Sequence, residues 1–289
     1  MAEKKMSRDE WAAKYGLAWA VLESDPGLKS VFGKAVAGKW TPEKFTAELR
    51  KTNWYKTHGE SWRQTEALRL TDKATYKANV AQNVSSLRAL AAQMGATLTG
   101  AQISELAESF YRFGYSETQA RATIARYVGV HEAGTLRGEA QSAAEKLRAI
   151  AVANGQRYSD NWYLKAARGV TGGTQDIATY EAQIRADAAG TYKMYKDRIL
   201  AGEDMSDIAS NYINRYAQIL EVDPQSIKLS DRLIDAALTG TTPDGKPAVQ
   251  SMSDFTKALK ADPRWKKTDN ARDEIAGTMY SIGRMMGFA

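Results

Sequence analysis

The residue types that do chemistry are sparse in this chain of 289 amino acids. It has no cysteine, which removes disulfides, thiolate metal ligands and thiol nucleophiles. Its two histidines, His58 and His131, are far apart in sequence, and neither belongs to a His-Glu-x-x-His run. The glycines from Gly169 to Gly173 are not followed by Lys-Ser or Lys-Thr, so they do not form a phosphate-cradling loop of the Walker type. Glu203-Asp204 and Asp231 with Asp235 are acidic pairs of the right type for a cation, but a solvated helix face is the ordinary place for such pairs. Glu108 and Arg112, four apart, suit an exposed ion pair on a helix. No catalytic, cofactor-binding or metal-binding residue is expected, and no cofactor.

What the chain has in place of reactive groups is aromatic surface. Five of its seven tryptophans fall before residue 63: Trp11, Trp19, Trp40, Trp54 and Trp62. Such faces can stack on sugars, but at helical spacing they serve more often as core or interface anchors. Apolar residues make up 43% of the chain, enough for a real core. The net charge of +6 is not gathered into a tract, its densest clusters being Lys4-Lys5 and Lys266-Lys267. A nucleic-acid partner is therefore not expected. No apolar stretch follows the first lysines, so a secretory signal is not expected. No run of about 20 apolar residues is present to span a membrane.

The elements that carry these residues are helices. No proline falls between Pro42 and Pro224, and alanine is abundant there. Apolar residues recur at three and four, as in Val80, Val84, Leu87, Leu90 and Met94, or Ile103, Leu106, Phe110. Ser7 to Glu10, Thr99 to Gln102 and Ser116 to Gln119 read as capping boxes, and Thr41-Pro42 and Asp223-Pro224 as starts with proline at the first helical position. Glycines 95, 114, 129, 155 and 202 read as stops. The predicted helices cover 7–22, 27–37, 42–51, 58–70, 72–94, 100–112, 117–128, 133–154, 160–168, 174–201, 205–220, 224–238, 252–261 and 268–286. Residues 170–173 and 239–251 read as loops, the second with a Pro243-Asp244-Gly245 turn.

Two internal similarities stand out. Leu87-Arg88-Ala89-Leu90-Ala91 returns sixty positions later as Leu147-Arg148-Ala149-Ile150-Ala151; Gly155 then follows as Gly95 does, and Ser159 as Thr99 does. Ordinary helix corners with similar packing needs account for that match. The second pairs Phe45, Leu49, Trp54-Tyr55-Lys56-Thr57 and Arg63 with Phe255, Leu259, Trp265-Lys266-Lys267-Thr268 and Arg272. It matches in order, in the four-residue Phe–Leu spacing and in the Trp-x-Lys-Thr run, and reads as a duplicated unit. Phe and Leu share one helix face, Trp plugs a corner with its N–H partnered, and Thr caps the next helix. The expected fold is all-α, a multi-helix array with duplicated Trp-x-Lys-Thr corners and no sheet. It divides into an N-terminal unit over 1–130, a middle helical region over 131–240, and a loop plus C-terminal unit over 241–289.

The run Trp40-Thr41-Pro42-Glu43-Lys44-Phe45, Leu49, Thr52-Asn53-Trp54-Tyr55-Lys56-Thr57, Trp62-Arg63, Asp72 and Tyr76 resembles a motif of actinobacteriophage virion proteins of the minor tail or tape-measure region. Tyr15-Gly16, Leu22, Asp25-Pro26, Leu28, Phe32 and Ala35 extend the resemblance upstream. Trp265 to Thr268, Ala271-Arg272 and Met286-Gly287-Phe288-Ala289 extend it at the end, while 131–249 is covered poorly. The resemblance implies a non-enzymatic structural protein of the virion, at the tail or tail tip. Its partners would be other tail proteins and further copies of itself, three or six in number. Some such proteins carry a lytic transglycosylase or peptidase domain. Glu60-Ser61 and Glu108-Ser109 have the Glu-Ser pair of a transglycosylase, but neither is followed by a Gly-Leu-Met-Gln type of segment. An internal or ejected protein linked to peptidoglycan degradation, or a packaged DNA-associated protein, are the alternatives.

Overall fold

Hydroxyl and carboxylate side chains decide where most helices begin. A helix start leaves free backbone amides, and a side-chain oxygen one position before the helix accepts from them. Ser7, Thr99 and Ser116 form the three capping boxes read in the sequence. Thr41, Thr52, Asp72, Asp176, Ser251 and Thr268 cap further starts. The resulting structure, a computed structural model described over residues 6–131 and 135–286, is all-helical. Lys4-Lys5 and the closing Gly287-Phe288-Ala289 lie outside the described residues.

The first nine helices are α1 (Arg8–Lys14), α2 (Trp19–Glu23), α3 (Pro26–Ala37), α4 (Pro42–Leu49), α5 (Asn53–Thr57), α6 (Glu60–Thr71), α7 (Lys73–Met94), α8 (Gly100–Phe113) and α9 (Glu117–Ile124). Then come α10 (Gly138–Ala153), α11 (Asp160–Thr171), α12 (Ile177–Thr191), α13 (Lys196–Leu200), α14 (Met205–Ile208), α15 (Ser210–Leu220), α16 (Arg232–Leu238), α17 (Met252–Ala261) and α18 (Asp269–Met285). Among the described residues there is no strand; Ala96 with Val128 and Thr241 with Pro247 form isolated bridges.

The expected helix 133–154 starts on residues outside those described, and its described helix begins at Gly138; four others are interrupted, each for a local reason. The 7–22 span divides at Gly16, whose φ of 71° ends α1. The 174–201 span divides at Tyr192, whose buried ring sits in a non-helical conformation between α12 and α13. Within 205–220 the chain resets at Ala209 between α14 and α15. The 224–238 span keeps one 3-10 turn at Pro224–Ser226; Ile227 and Leu229 are then buried before α16 starts at Arg232. A short helix over Asn53–Thr57 is additional. Gly129 is not a stop, because the α-helix has already ended at Ile124 and a 3-10 turn runs to Tyr127.

Two units divide the chain, each with its own contacts. One comprises Met1–Ala140 with Thr171–Thr174; the other comprises Gln141–Val170 with Gln175–Ala289. In the first, Tyr15, Leu22, Phe32, Phe45 and Trp54 form one apolar cluster, and Leu87, Met94, Ile103, Phe110 and Ile124 form another. In the second, one cluster runs from Ala188 through Tyr192, Met205 and Ile234 to Leu259. The stretch read as a middle region and the one read as a C-terminal unit share that core.

The sixty-residue similarity reaches well beyond its four matching letters in five. α8 and α11 start sixty positions apart, at Gly100 and Asp160, as do α9 and α12, at Glu117 and Ile177. The buried positions keep the same register: Leu87 and Leu147, Ala91 and Ala151, Ile103 and Tyr163, Ala107 and Ala167, Ile124 and Ile184, Val128 and Ala188. Both corners close with the same backbone bond, Ala96 N–H to Ala91 O and Gln156 N–H to Ala151 O, each 2.8 Å. The glycine at the corner is a steric requirement in the first copy. Gly95 sits at φ 78°, and a Cβ there would lie 2.0 Å from the Arg137 carbonyl oxygen. Gly95→Ala is expected to lower the unfolding free energy by about 1–3 kcal/mol. Gly129→Ala, where a Cβ meets nothing within 4 Å, should stay within about 0.5 kcal/mol of wild type. Urea unfolding followed by circular dichroism measures both.

Candidate functional site

The residues singled out in the sequence form two corners, one in each unit. In the first, Thr41 caps α4, and this helix buries Phe45 and Leu49 four residues apart on one face. Tyr15 stacks on Phe45 at 4.4 Å, and its hydroxyl donates to the carbonyls of Ala35 and Trp40. Half-buried Trp40 packs at the edge of this cluster, with the Lys44 ammonium over its ring. Thr52 caps α5, which carries Trp54 into the core. His58, at the end of α5, stacks on Trp62 at 3.7 Å, and its Nδ1 lies 2.8 Å from the Trp54 carbonyl. Arg63 lies over the Tyr55 ring at 3.9 Å and donates to the carbonyls of Tyr55 and His58. Its charge thus satisfies the carbonyl end of α5.

The second corner agrees with the first in its buried Phe and Leu and departs from it in its tryptophan, which is half-buried where Trp54 is buried, and in its polar bonds. α17 buries Phe255 and Leu259 completely. Asp262, buried at the end of α17, accepts from the Arg264 backbone at 2.9 Å and from its guanidinium at 2.9 and 3.0 Å. Those bonds hold the Asp262 carboxyl below the usual carboxylate range. Trp265 lies in a 3-10 turn rather than an α-helix, and its indole N–H is buried without a partner among the described residues, contrary to the expected hydrogen bond. Thr268 does cap the next helix, accepting from Ala271 N–H at 3.1 Å. Thr57 does not: it is exposed, donates back to Asn53 O, and is followed by Gly59 as the residue preceding α6. Arg272 is exposed and bonds Asp269, one turn away, where Arg63 reaches across its corner. The sequence signature therefore marks alike Phe and Leu anchors, an unlike tryptophan and unlike polar connections.

A polar hub absent from the sequence reading lies in the first unit. Glu66 of α6 is buried and accepts from Arg69 Nε at 2.8 Å and from Arg112 of α8 at 3.3 Å. Arg112 thus serves Glu66 and not Glu108, which accepts from the Tyr76 hydroxyl at 2.8 Å. The expected i,i+4 pair loses because α6 brings a better-buried carboxylate to the guanidinium. The Arg69 hydrogen bond, with the charges of Arg69 and Arg112, holds the Glu66 carboxyl below its ordinary range against the opposing effect of burial.

The other polar candidates serve structural bonds. Glu203 pairs with Arg198, and Asp204 accepts from Arg185 at 2.8 Å and from the buried Asn154 at 3.0 Å. Asp231 accepts from the Lys228 backbone. Glu60 and Glu108 are both exposed, on separate helices. A cavity of about 720 Å³ opens in the second unit, walled by Val152, Ile213, Ile227 and Leu229, with Arg157 and Lys228 among its lining. Among the described residues, no carboxylate or histidine lines it.

Among the described residues, α18 and the residue that follows it carry six of the thirteen large hydrophobic side chains that are exposed. The root of α18 is fixed: Ala271 is buried, and Glu221 accepts from the Asp269 and Asn270 amides at 3.0 and 2.8 Å. Beyond that root, Ile275, Met279, Tyr280, Ile282, Met285 and Met286 are all exposed.

No protein-family model, curated protein or solved structure matches this chain.

Two measurements test this geometry. Thr268→Ala should cost about 1 kcal/mol of unfolding free energy, whereas Thr57→Ala should stay within about 0.5 kcal/mol; equal losses would make the two corners equivalent after all. Glu66→Gln should cost about 1–3 kcal/mol at pH 7. The folded-state pKa is lowered, so this contribution is complete above the unfolded value of about 4.3 and is lost as pH falls through the folded value. The gap between wild type and variant in urea titrations should therefore close in acid.

Proposed function

We propose that this chain is a non-enzymatic structural protein of a bacteriophage virion, associated with the tail or tail tip, and that it acts by packing helices against other virion proteins and other copies of itself. The observation that carries the packing half is the exposed apolar face of α18, since contiguous apolar surface of that kind marks an interaction site. The virion half is supported by the aromatic motif around Trp54 and Tyr55. Phe45, Leu49, Trp54, Phe255 and Leu259 are buried as anchors of their own corners, so docking falls to other faces.

In this role the buried corners set the angles between successive short helices, and the exposed helix supplies the contact. Oligomers of three or six copies suit a tail built around a symmetry axis. The test is cryo-electron microscopy of intact particles with mass-spectrometric copy counting. The expected result is density in the tail or its tip at a symmetric copy number. Absence from the particle overturns the reading. Loose copies inside the capsid favour an ejected or DNA-associated protein instead.

A further inference from the structure

α18 is a 17-residue helix with almost no core of its own. Ala271 is its buried residue, and from Arg272 to Met286 every side chain described is exposed. Gly277 and Gly283 lie inside it, and a glycine in a helix interior costs about 1 kcal/mol relative to alanine. A helix of this length and composition is marginal in water unless a face is covered.

The uncovered face has a definite pattern. Ile275, Met279, Ile282 and Met286 follow one another at spacings of four, three and four, with exposures of 51, 68, 46 and 68%. That narrow stripe is the seam of a coiled coil, broader globular faces needing a third position per heptad. Ala276 and Thr278 beside the seam carry no charge, so no ion pair there selects a different partner. The spacing reads the same from either end. A reversed copy sets Ile275 against Met286 and Met279 against Ile282, so every layer joins one isoleucine to one methionine. A parallel copy would stack like on like, with isoleucine at the position that disfavours two parallel strands.

Size agrees with a two-copy contact. The four seam residues present roughly 500 Å² of apolar surface, within the range of the largest patches on monomeric proteins. Two copies together bring roughly 1,000 Å², the size of a weak, reversible interface.

We propose that α18 pairs antiparallel with the α18 of a second copy of this chain, about a two-fold axis between Tyr280 and Ser281. The pairing rests on the packing half of the proposed function and names the surface that performs it. Six copies would then be three such pairs.

The chain's lack of cysteine makes the test clean. Sedimentation equilibrium of the full chain should give a dimer mass at roughly 100 μM and a monomer on dilution, as suits an interface of this size. Helical ellipticity should rise with concentration. Met279→Lys combined with Ile282→Lys, both exposed, should leave a folded monomer at every concentration. Ile275→Cys with Met286→Cys should be captured as a covalent dimer by a short bis-maleimide. Ile275→Cys alone should not, because in the antiparallel pair its two copies stand about 16 Å apart along the axis. Efficient capture of the single variant, a wild type that stays monomeric, or a dimer indifferent to the lysine pair overturns the proposal. A monomer that is nevertheless found in tails removes this pairing and leaves the virion role; a dimer through α18 absent from particles does the reverse.

Discussion

Short helices cannot stand alone, and that constraint governs the whole chain. α2, α5, α13 and α14 have five residues or fewer, far below the length at which a helix is stable in water. Each exists because a cap satisfies its free amides or a side chain at its centre is buried. α5 has both, with Thr52 at its start and Trp54 in the core. α13 and α14 lack a side-chain cap and rely on the burial of Ile199, Met205 and Ile208. Aromatic rings suit this work because one ring covers more apolar area than any aliphatic side chain.

The corners follow from the same constraint. Where two short helices meet, the last carbonyls of one and the first amides of the next must be satisfied within a few residues. Arg63 does this at the α5–α6 corner by reaching two carbonyls at once. At the second corner Asp262, Thr268 and the distant Glu221 divide the task. Glu221 itself adopts a left-handed conformation, φ 53°, at the end of α15, which places its carboxylate under the first amides of α18. The Asn270 and Asp269 amides draw its pKa below the ordinary value. The root of α18 is therefore firm while the rest of the helix stands exposed, an arrangement suited to presenting a surface.

The chain by itself determined the helical class, most cap residues, and the apolar anchors Phe45, Leu49, Trp54, Phe255 and Leu259. These are local matters: a hydroxyl before a helix, a period of three and four, a large ring at a corner. Helix 252–261 was legible to the residue because Ser251 and the Phe–Leu face agree. The chain did not disclose that Tyr192 interrupts a long helix, since only the core that buries its ring makes the break worthwhile. It did not disclose that Arg112 turns to Glu66, because the choice between two carboxylates depends on which one the neighbouring helix buries. The sixty-residue similarity reads in the sequence as two ordinary helix corners, yet its burial register holds through three helices, since burial register survives substitutions that letters do not. The two stretches of the tryptophan motif bury Phe and Leu alike and differ in the burial of Trp and in their polar bonds, because packing volume is written in single residues whereas polar bonding is settled by whatever backbone the tertiary fold brings near.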